Sequence, residues 1–189
     1  MATLTSPSMP IGEFVIQMAH TADLDRAVLA QARDLLDVVF EGEMTDHDWE
    51  HALGGLHSIG WHGSSVVGHA SVIQRRLVHD GQTLRTGYVE GVGVHPAWQR
   101  QGLGGQMMEA LEQVIVAAYD IGALGATDEA VSLYEHRGWI RWLGSTSALT
   151  PTGVVRTPDE DGCIYVFPAG HTLNIAGNLT CDWRDGDVW

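Results

Sequence analysis

The segment GVGVHPAWQRQGLGG, residues 91–105, constrains this chain more than any other part of its sequence. It follows a β-branched stretch that predicts a strand, and it leads directly into apolar residues at helical spacing. A glycine-rich turn that opens a helix presents backbone N–H groups and the positive end of the helix dipole, which together bind phosphate groups. The same glycines could serve only to turn the chain, so both a phosphate site and a plain loop stay open on this segment alone.

Periodic patterns on both sides of this segment predict a mixed α/β fold. The predicted strands are residues 14–18, 56–62, 65–78, 84–94, 123–126, a stretch from 139 onward, and 163–167. The predicted helices are residues 23–40, 49–52, 102–119 and 128–137. Asp80 and Gly81 favour a tight hairpin in which both residues have positive φ. From residue 151 the chain is otherwise expected to be rich in loops and to end in an acidic tail.

Length and composition indicate one domain spanning residues 1–189. A chain of this length with 44% hydrophobic residues can bury a single core. The sequence shows no secretory or membrane-spanning pattern, so we expect a soluble, cytoplasmic protein with no membrane partner. Two cysteines in such a chain, Cys163 and Cys181, are expected to be free thiols.

The charge of the chain excludes several classes of protein. Its 24 acidic and 10 basic residues give a net charge of -14, which opposes binding to nucleic acid. All ten basic residues are arginines, so the chain has no lysine for a Schiff base, a pyridoxal phosphate linkage or a Walker motif. Such acidity can serve solubility alone, or it can attract a cationic ligand.

A second pattern suggests a metal site. The residues HDWEH, 47–51, match the H-x-x-E-H motif of inverted zinc proteases. Thr45 and Asp48 resemble a capping box that begins this short helix, and Gly54 and Gly55 predict that it ends after about one turn. A zinc hydrolase would need a longer helix and a third ligand, so we expect no metal.

The spacing from Gln99 to Gly104 sharpens the interpretation of the glycine-rich segment. It fits the Q/R-x-x-G-x-G/A signature and resembles the acetyl-CoA-binding loop of GNAT N-acetyltransferases. The rest of the chain, from about residue 46 to the end, resembles the aminoglycoside 2′-N-acetyltransferases of that superfamily. The segments that carry this resemblance are DWEHALGGLH, VIQRRL, GYVEGVGV, LYEHRGW, LTPTG, RTPDEDG and CDWRDGDVW.

The resemblance implies the GNAT fold, an α/β fold with a mixed, mostly antiparallel central sheet and flanking helices. It also implies a bulged strand that opens the acetyl-CoA cleft, and Gly91 and Gly93 alternate with valines as such a bulge requires. Residues 84–140 would form the acetyl-CoA-binding core, and 151–189 would complete an acceptor groove. A homodimer is implied as well. The expected donor-binding residues are Val92, Gly93, Val94, Gln99, Arg100, Gln101, Gly102, Leu103, Gly104 and Gly105.

Transfer of an acetyl group to an amine requires a base, an acid and a donor for the oxyanion. We expect Glu90 to collect the proton of the amine through water, and the resemblance assigns Tyr134 as the acid that protonates the leaving thiolate. The main-chain N–H of Val92 would stabilise the oxyanion. The alternatives are an exposed strand carboxylate at Glu90 and a packed core tyrosine at Tyr134.

A polycationic sugar needs several carboxylates that face one groove. The expected acceptor-binding residues are Glu43, Asp48, Glu90, Gly91, Gly125, Glu160, Asp187 and Trp189. Trp189 would contribute its α-carboxylate and an apolar face, although a charged tail of this kind could also be solvated. The implied activity is acetyl transfer to the 2′-amine of aminoglycosides. A cell-wall amino sugar, a polyamine or a protein amine are alternative acceptors, and a protein that sequesters cationic antibiotics without turnover is the alternative outside enzymes.

Overall fold

The computed structural model describes residues 14–189 of the chain. Its strands are β1 Val15–His20, β2 Leu56–His62, β3 Ser65–His79, β4 Gln82–Val94, β5 Ile121–Gly125, β6 Ile140–Arg141, β7 Thr146–Thr150, β8 Gly153–Arg156, β9 Ile164–Phe167 and β10 Leu179–Asp182. Its α-helices are α1 Arg26–Val39, α2 Asp46–His51, α3 Leu103–Ala118 and α4 Val131–His136.

These strands form one mixed sheet. Its continuous order is β6-β9-β5-β4-β3-β10-β7-β8, and β2, followed by β1, pairs with the first part of β3. The long β3–β4 hairpin lies at the centre and turns at Asp80 and Gly81, whose φ angles are 49° and 73°. Both angles are positive, so the predicted hairpin turn is confirmed.

Strand β4 carries a bulge in its last third. Ser71 of β3 pairs with Glu90, whereas His69 pairs with Gly93, so β4 has one residue more than β3 between these two pairs. Gly91 adopts a φ of 57°, which favours glycine at this position. The bulge that the sequence predicts is therefore confirmed.

The sheet opens beside this bulge. The parallel pairing of β4 with β5 covers only Thr86 to Tyr88, and beyond these residues the two strands separate. Helix α3 packs across β2, β3 and β4 with buried residues that include Met107 and Leu111. The expected α/β architecture with an opened central sheet is confirmed.

The main difference from the sequence-based expectation lies after residue 139. The strand expected there is only the two residues of β6, and β7, β8 and β10 were not predicted. β10 pairs antiparallel with β3 and parallel with β7, so much of the stretch expected to be loops belongs to the sheet. The other predicted elements are confirmed, with ends that differ by a few residues.

The cysteines and the helices of residues 14–189 bear on two further expectations. Cys163 and Cys181 are both free thiols, as predicted. Among the helices of residues 14–189, none combines the length and the apolar composition that crossing a bilayer would require.

Candidate active site

Two cavities adjoin at the bulge of β4. We call the first, of about 430 Å³, the acidic cavity, because Glu43, Asp48, Glu90, Glu160 and Asp187 line it. The second, of about 930 Å³, runs along the end of β4 and the loop into α3, and we call it the glycine cleft. The residues that line both are Phe40, Glu43, Val92, Thr127, Ala130 and Tyr134. A molecule in either cavity would therefore reach the same short stretch of surface.

Four of the residues that line the glycine cleft are glycines, and three of these lie at the start of α3. Gly102 is the N-cap of α3 with a φ of 86°, and Arg100 before it has a φ of 59°. The first N–H groups of α3 have no partner within the helix, and they carry its positive dipole end. Eight of the expected donor-binding residues line this cleft: Val92, Gly93, Val94, Gln99, Arg100, Gly102, Gly104 and Gly105.

The two other expected donor-binding residues, Gln101 and Leu103, do not line the cleft. The side-chain amide of Gln101 donates to the carbonyl of Ala97 at 3.2 Å. Leu103 is 1% exposed and points into the core, where Gly60 and Gly68 leave room for its methyl groups. Successive residues of a helix point about 100° apart, so a run of helical residues cannot all face one ligand.

The acidic cavity brings together residues from distant parts of the chain. All eight expected acceptor-binding residues line it: Glu43, Asp48, Glu90, Gly91, Gly125, Glu160, Asp187 and Trp189. They come from the segment after α1, from α2, from the bulge, from the end of β5, from the turn between β8 and β9, and from the C-terminal segment. Thr45 and Asp48 form the predicted capping box of α2, so Oδ2 of Asp48 also accepts from the main-chain N–H of Thr45 at 2.8 Å.

Two carboxylates of this cavity, those of Glu90 and Glu160, have a raised pKa. The side chain of Glu90 is 14% exposed, and burial raises its pKa, while Arg184 acts in the opposite direction. Burial also raises the pKa of Glu160, and the nearby charges of Asp187 and Asp159 raise it further. Groups that repel each other in this way are stabilised by a bound cation. The cavity is therefore electrostatically suited to ammonium groups.

Sequence reasoning missed Arg184, which lines the acidic cavity. Its guanidinium pairs with the carboxylate of Glu90 and donates to the main-chain oxygens of Asp187 and Trp189. It also lies over the ring of Tyr88, with 5.5 Å between Cζ and the ring centroid. The signal was present in CDWRDGDVW, where one arginine stands among three aspartates.

The C-terminal segment is held in place rather than solvated. Arg75 donates to the carboxylate of Asp182 at 2.8 Å, and Trp189 is 5% exposed. The indole N–H of Trp189 donates to Thr157 Oγ1 at 2.9 Å, and its main-chain N–H donates to Asp187 at 3.0 Å. Trp189 thus borders the cavity mainly as a core residue. The indole packs inward and Arg184 contacts the Trp189 oxygen, while Trp189 still lines the cavity.

Tyr134 on α4 is both a core residue and a cavity residue. It is 4% exposed, and its ring centroid lies 6.1 Å from that of Trp139. Burial raises the pKa of Tyr134 to about 12. The hydroxyl therefore keeps its proton at neutral pH and has it available to donate.

The residues of the H-x-x-E-H motif have other contacts. Nδ1 of His47 lies 3.5 Å from the carboxylate of Glu50, and Nε2 of His51 lies 2.8 Å from the carbonyl of Asp185. Within residues 14–189, no three side chains of the metal-binding types come together in a cluster.

A bulged, opened strand, a glycine-capped helix beside it and a second cavity at the same point define the class of GNAT-type N-acetyltransferases. Residues 22–141 match the acetyltransferase (GNAT) domain family. The chain is also 48% identical over 177 residues to the aminoglycoside 2′-N-acetyltransferase of Mycolicibacterium fortuitum, a match that covers 92% of this chain and 91% of that protein. The chain belongs to the GNAT acetyltransferases and, within them, to the family of the aminoglycoside 2′-N-acetyltransferases.

Solved structures agree with this fold. ElaA of Escherichia coli superposes with a TM-score of 0.58 at 20% identity, covering 82% of this chain and 97% of that one. An acyl-CoA N-acyltransferase of Pseudomonas aeruginosa gives a TM-score of 0.57 at 17% identity, covering 82% and 99%. At such identities the likeness shows the fold alone, and it confirms the predicted fold class.

Proposed function

We propose that this acetyltransferase transfers the acetyl group of acetyl-CoA to the 2′-amine of aminoglycosides by direct attack in a ternary complex, and so confers resistance to them. The observation that carries the proposal is that Val92 and Tyr134 line both cavities. A donor in the glycine cleft and a cationic acceptor in the acidic cavity would meet at these two residues. The relative from Mycolicibacterium fortuitum, at 48% identity, supports the choice of acceptor.

The glycine cleft fits acetyl-CoA, which supplies an activated thioester when bound. The main chain around Gly102 and Gly104, with the guanidinium of Arg100, would hold the pyrophosphate. A Cβ placed on Gly104 would make an ordinary contact of 3.7 Å with a methyl group of Val94, so a larger side chain at this position would extend beyond it into the cleft. The main chain of Val92 and Val94 would pair with the amides of the pantetheine arm.

The acidic cavity fits a polycation that must lose a proton before it reacts. Glu160 and Asp187 would hold ammonium groups of the sugar, and Glu90 would take up the proton of the attacking amine through water. The raised pKa of Glu90 makes it a better base than an exposed carboxylate. Tyr134 would return a proton to the thiolate, and the N–H of Val92 would stabilise charge on the acetyl oxygen.

Arg184 enters this proposal as an internal cation. It pairs with Glu90 and borders the cavity that the ammonium groups would enter. An acceptor with several ammonium groups would compete with the guanidinium for the carboxylates. The pairing of Arg184 with Glu90 would then loosen as the sugar binds, and Glu90 would become free to accept a proton.

The test is an acetyl-CoA consumption assay with matched aminoglycosides that carry either an amine or a hydroxyl at the 2′ position. We expect turnover with the 2′-amino compounds and none with the 2′-hydroxy compounds. Equal turnover with both would contradict the 2′ assignment. Tight binding without release of the CoA thiol would favour a sequestering protein, and turnover confined to polyamines, cell-wall amino sugars or protein amines would favour those acceptors.

The proposal includes a metal-free, cytoplasmic homodimer with both cavities in one domain. Val154 and Val155 on the edge strand β8 are exposed, as residues of a contact between two copies would be. We expect treatment with a chelator to leave the acetylation rate unchanged, and light scattering to give twice the chain mass. Stoichiometric zinc in the purified protein would contradict the metal-free part of the proposal. A monomeric mass would contradict the homodimer.

A further inference from the structure

Two buried histidines lie directly behind the bulge of β4. His57 on β2 and His69 on β3 are both 0% exposed, and Nδ1 of His57 lies 2.9 Å from Nε2 of His69. Nδ1 of His69 lies 2.7 Å from the carbonyl oxygen of Gly91, and Nε2 of His57 lies 2.8 Å from Oγ1 of Thr21. These four residues form a continuous series of hydrogen bonds that ends at the bulge, and we call it the histidine chain.

The direction of the histidine chain is set by its last member. The carbonyl of Gly91 can only accept, so Nδ1 of His69 carries the hydrogen. A neutral imidazole has one N–H, so Nε2 of His69 accepts from Nδ1–H of His57, and Nε2 of His57 accepts from the hydroxyl of Thr21. The main-chain N–H of Gly54 in turn donates to Thr21 Oγ1 at 2.8 Å. Both imidazoles are therefore Nδ1–H tautomers.

Burial keeps this arrangement neutral. It is the main cause that lowers the pKa of His57 and of His69 to about 4, and for His69 the neighbouring ring of His57 is a smaller cause in the same direction. A proton added to Nε2 of His69 would place two donors opposite each other between the rings, and one added to Nε2 of His57 would oppose the hydroxyl hydrogen of Thr21. At neutral pH both rings remain uncharged, so every hydrogen bond of the histidine chain keeps its direction.

The peptide unit between Gly91 and Val92, at the end of the histidine chain, contains an N–H group of the site. The carbonyl of Gly91 and the N–H of Val92 belong to one planar, trans peptide, so they point in opposite directions. The imidazole of His69 holds the carbonyl on its own side, and the N–H therefore points away from His69. Val92 lines both cavities, whereas His69 lines neither.

We propose that His69, oriented by His57, is a positioning residue that aims the N–H of Val92 at the acetyl carbonyl oxygen during transfer. This inference rests on the proposed function, in which that N–H stabilises the charge developing on the oxygen. Donors of this kind act because their direction is set before the reaction. The bond that the Gly91 carbonyl accepts also polarises the same peptide, which strengthens its N–H as a donor.

The first test is kinetic. In His69→Leu we expect kcat to fall by about 10-fold to 100-fold, part of the effect of deleting an oxyanion donor, with both Michaelis constants little changed. His69→Asn keeps an amide N–H near the position of Nδ1 and should recover most of the rate. The matched control is His79→Leu, since His79 is also a buried histidine of β3 whose Nδ1 contacts a main-chain carbonyl, that of Asn178 at 3.0 Å, but it lies far from the bulge. That variant should keep the parent kcat.

The second test needs no variant. Nitrogen-15 NMR of the histidines in the unaltered protein should show Nδ1 protonated and Nε2 unprotonated in both His57 and His69. An Nε2–H tautomer at His69 would overturn the inference, and so would parent kcat in His69→Leu, or a folded His69→Asn as slow as His69→Leu. If His69→Leu does not fold, the tautomer of His69 measured in the unaltered protein tests the inference. A parent enzyme that fails to acetylate aminoglycosides would instead overturn the proposed function.

Discussion

The glycine cleft and the acidic cavity share Val92 and Tyr134 but are built in opposite ways. Half of the residues that line the cleft come from the single stretch 92–105, which includes the N-terminus of α3 with its backbone N–H groups. The cavity is lined by carboxylates from five separate segments, and these present negative charge to a ligand. In the proposed function, donor binding would depend on main-chain geometry that is local in sequence. Acceptor binding would depend on side chains that only the complete fold brings together.

The largest effect is expected where the two regions meet. Glu90→Gln removes the proposed base, and we expect kcat/KM toward aminoglycosides to fall by about 100-fold or more, with the affinity for acetyl-CoA unchanged. The parent rate should decline as the pH falls through the raised pKa of Glu90, because the protonated carboxyl is no base. That acid limb should be absent in the variant.

Steady-state kinetics across pH would measure this effect. The matched control is Glu50→Gln, since Glu50 is an exposed carboxylate of α2 that lines neither cavity. A Glu90→Gln enzyme that keeps the parent rate would contradict the role of Glu90 as the base.

The second prediction concerns the C-terminal segment. Deletion of Val188 and Trp189 removes a buried indole, so the free energy of unfolding should fall by about 3–5 kcal/mol. Acceptor binding should weaken as well, because Arg184 and Asp187 lose their contacts with Trp189. Urea denaturation measures the first effect, and Trp183→Ala is the control, since Trp183 is exposed. Equal unfolding midpoints for the deletion and the parent would show that the tail does not support the cavity.

The same contrast explains how much of the fold the sequence could predict. The β3–β4 hairpin depends on neighbouring residues, so alternation and Asp80-Gly81 predict it, whereas the bulge was expected from the family resemblance, which Gly91 and Gly93 fit. The strands β7, β8 and β10 have four or five residues each, and β10 pairs with β3 about 100 residues away. Short segments carry little periodic signal, and their pairing depends on partners that no local pattern names.

The site follows the same rule. The glycine loop could be predicted because its spacing is a local motif, apart from Gln101 and Leu103, whose side chains point elsewhere. The carboxylates of the cavity were predicted through a family resemblance rather than through periodicity. The segment CDWRDGDVW draws attention to Arg184, but neither its pairing with Glu90 nor the His57–His69 pair could be predicted, because these contacts exist only after β2, β3, β4 and the C-terminal segment have assembled.

A third prediction tests the glycine cleft alone. Gly104→Val places methyl groups where the donor would lie, and we expect the Michaelis constant for acetyl-CoA to rise about tenfold, which corresponds to roughly 1.4 kcal/mol. The constant for the sugar should change little. Gly104→Ala is the matched control, because its Cβ would meet only ordinary contacts of 3.7 and 3.8 Å with Val94 and Leu133. An unchanged donor constant in a folded Gly104→Val protein would contradict backbone binding in this cleft.

A smaller effect should appear at Glu160. Its pKa is raised in the free protein, and an ammonium group would lower it, so sugar binding should release protons and should strengthen as the pH rises through that pKa. Glu160→Gln should release fewer protons and weaken binding by a few-fold. Calorimetry in two buffers of different ionisation enthalpy measures the release. Identical proton release by the parent and the variant would exclude Glu160 from the acceptor contacts.

The central claim is that main-chain N–H groups hold the donor and carboxylates hold the acceptor. The most direct test is the salt dependence of both Michaelis constants in the unaltered enzyme, because ions screen charge pairs between the sugar and the cavity. We predict that the constant for a 2′-amino aminoglycoside rises steeply with sodium chloride, while that for acetyl-CoA stays level or falls. This claim would be contradicted if the Michaelis constant for the aminoglycoside did not change with salt, or if that for acetyl-CoA rose as steeply.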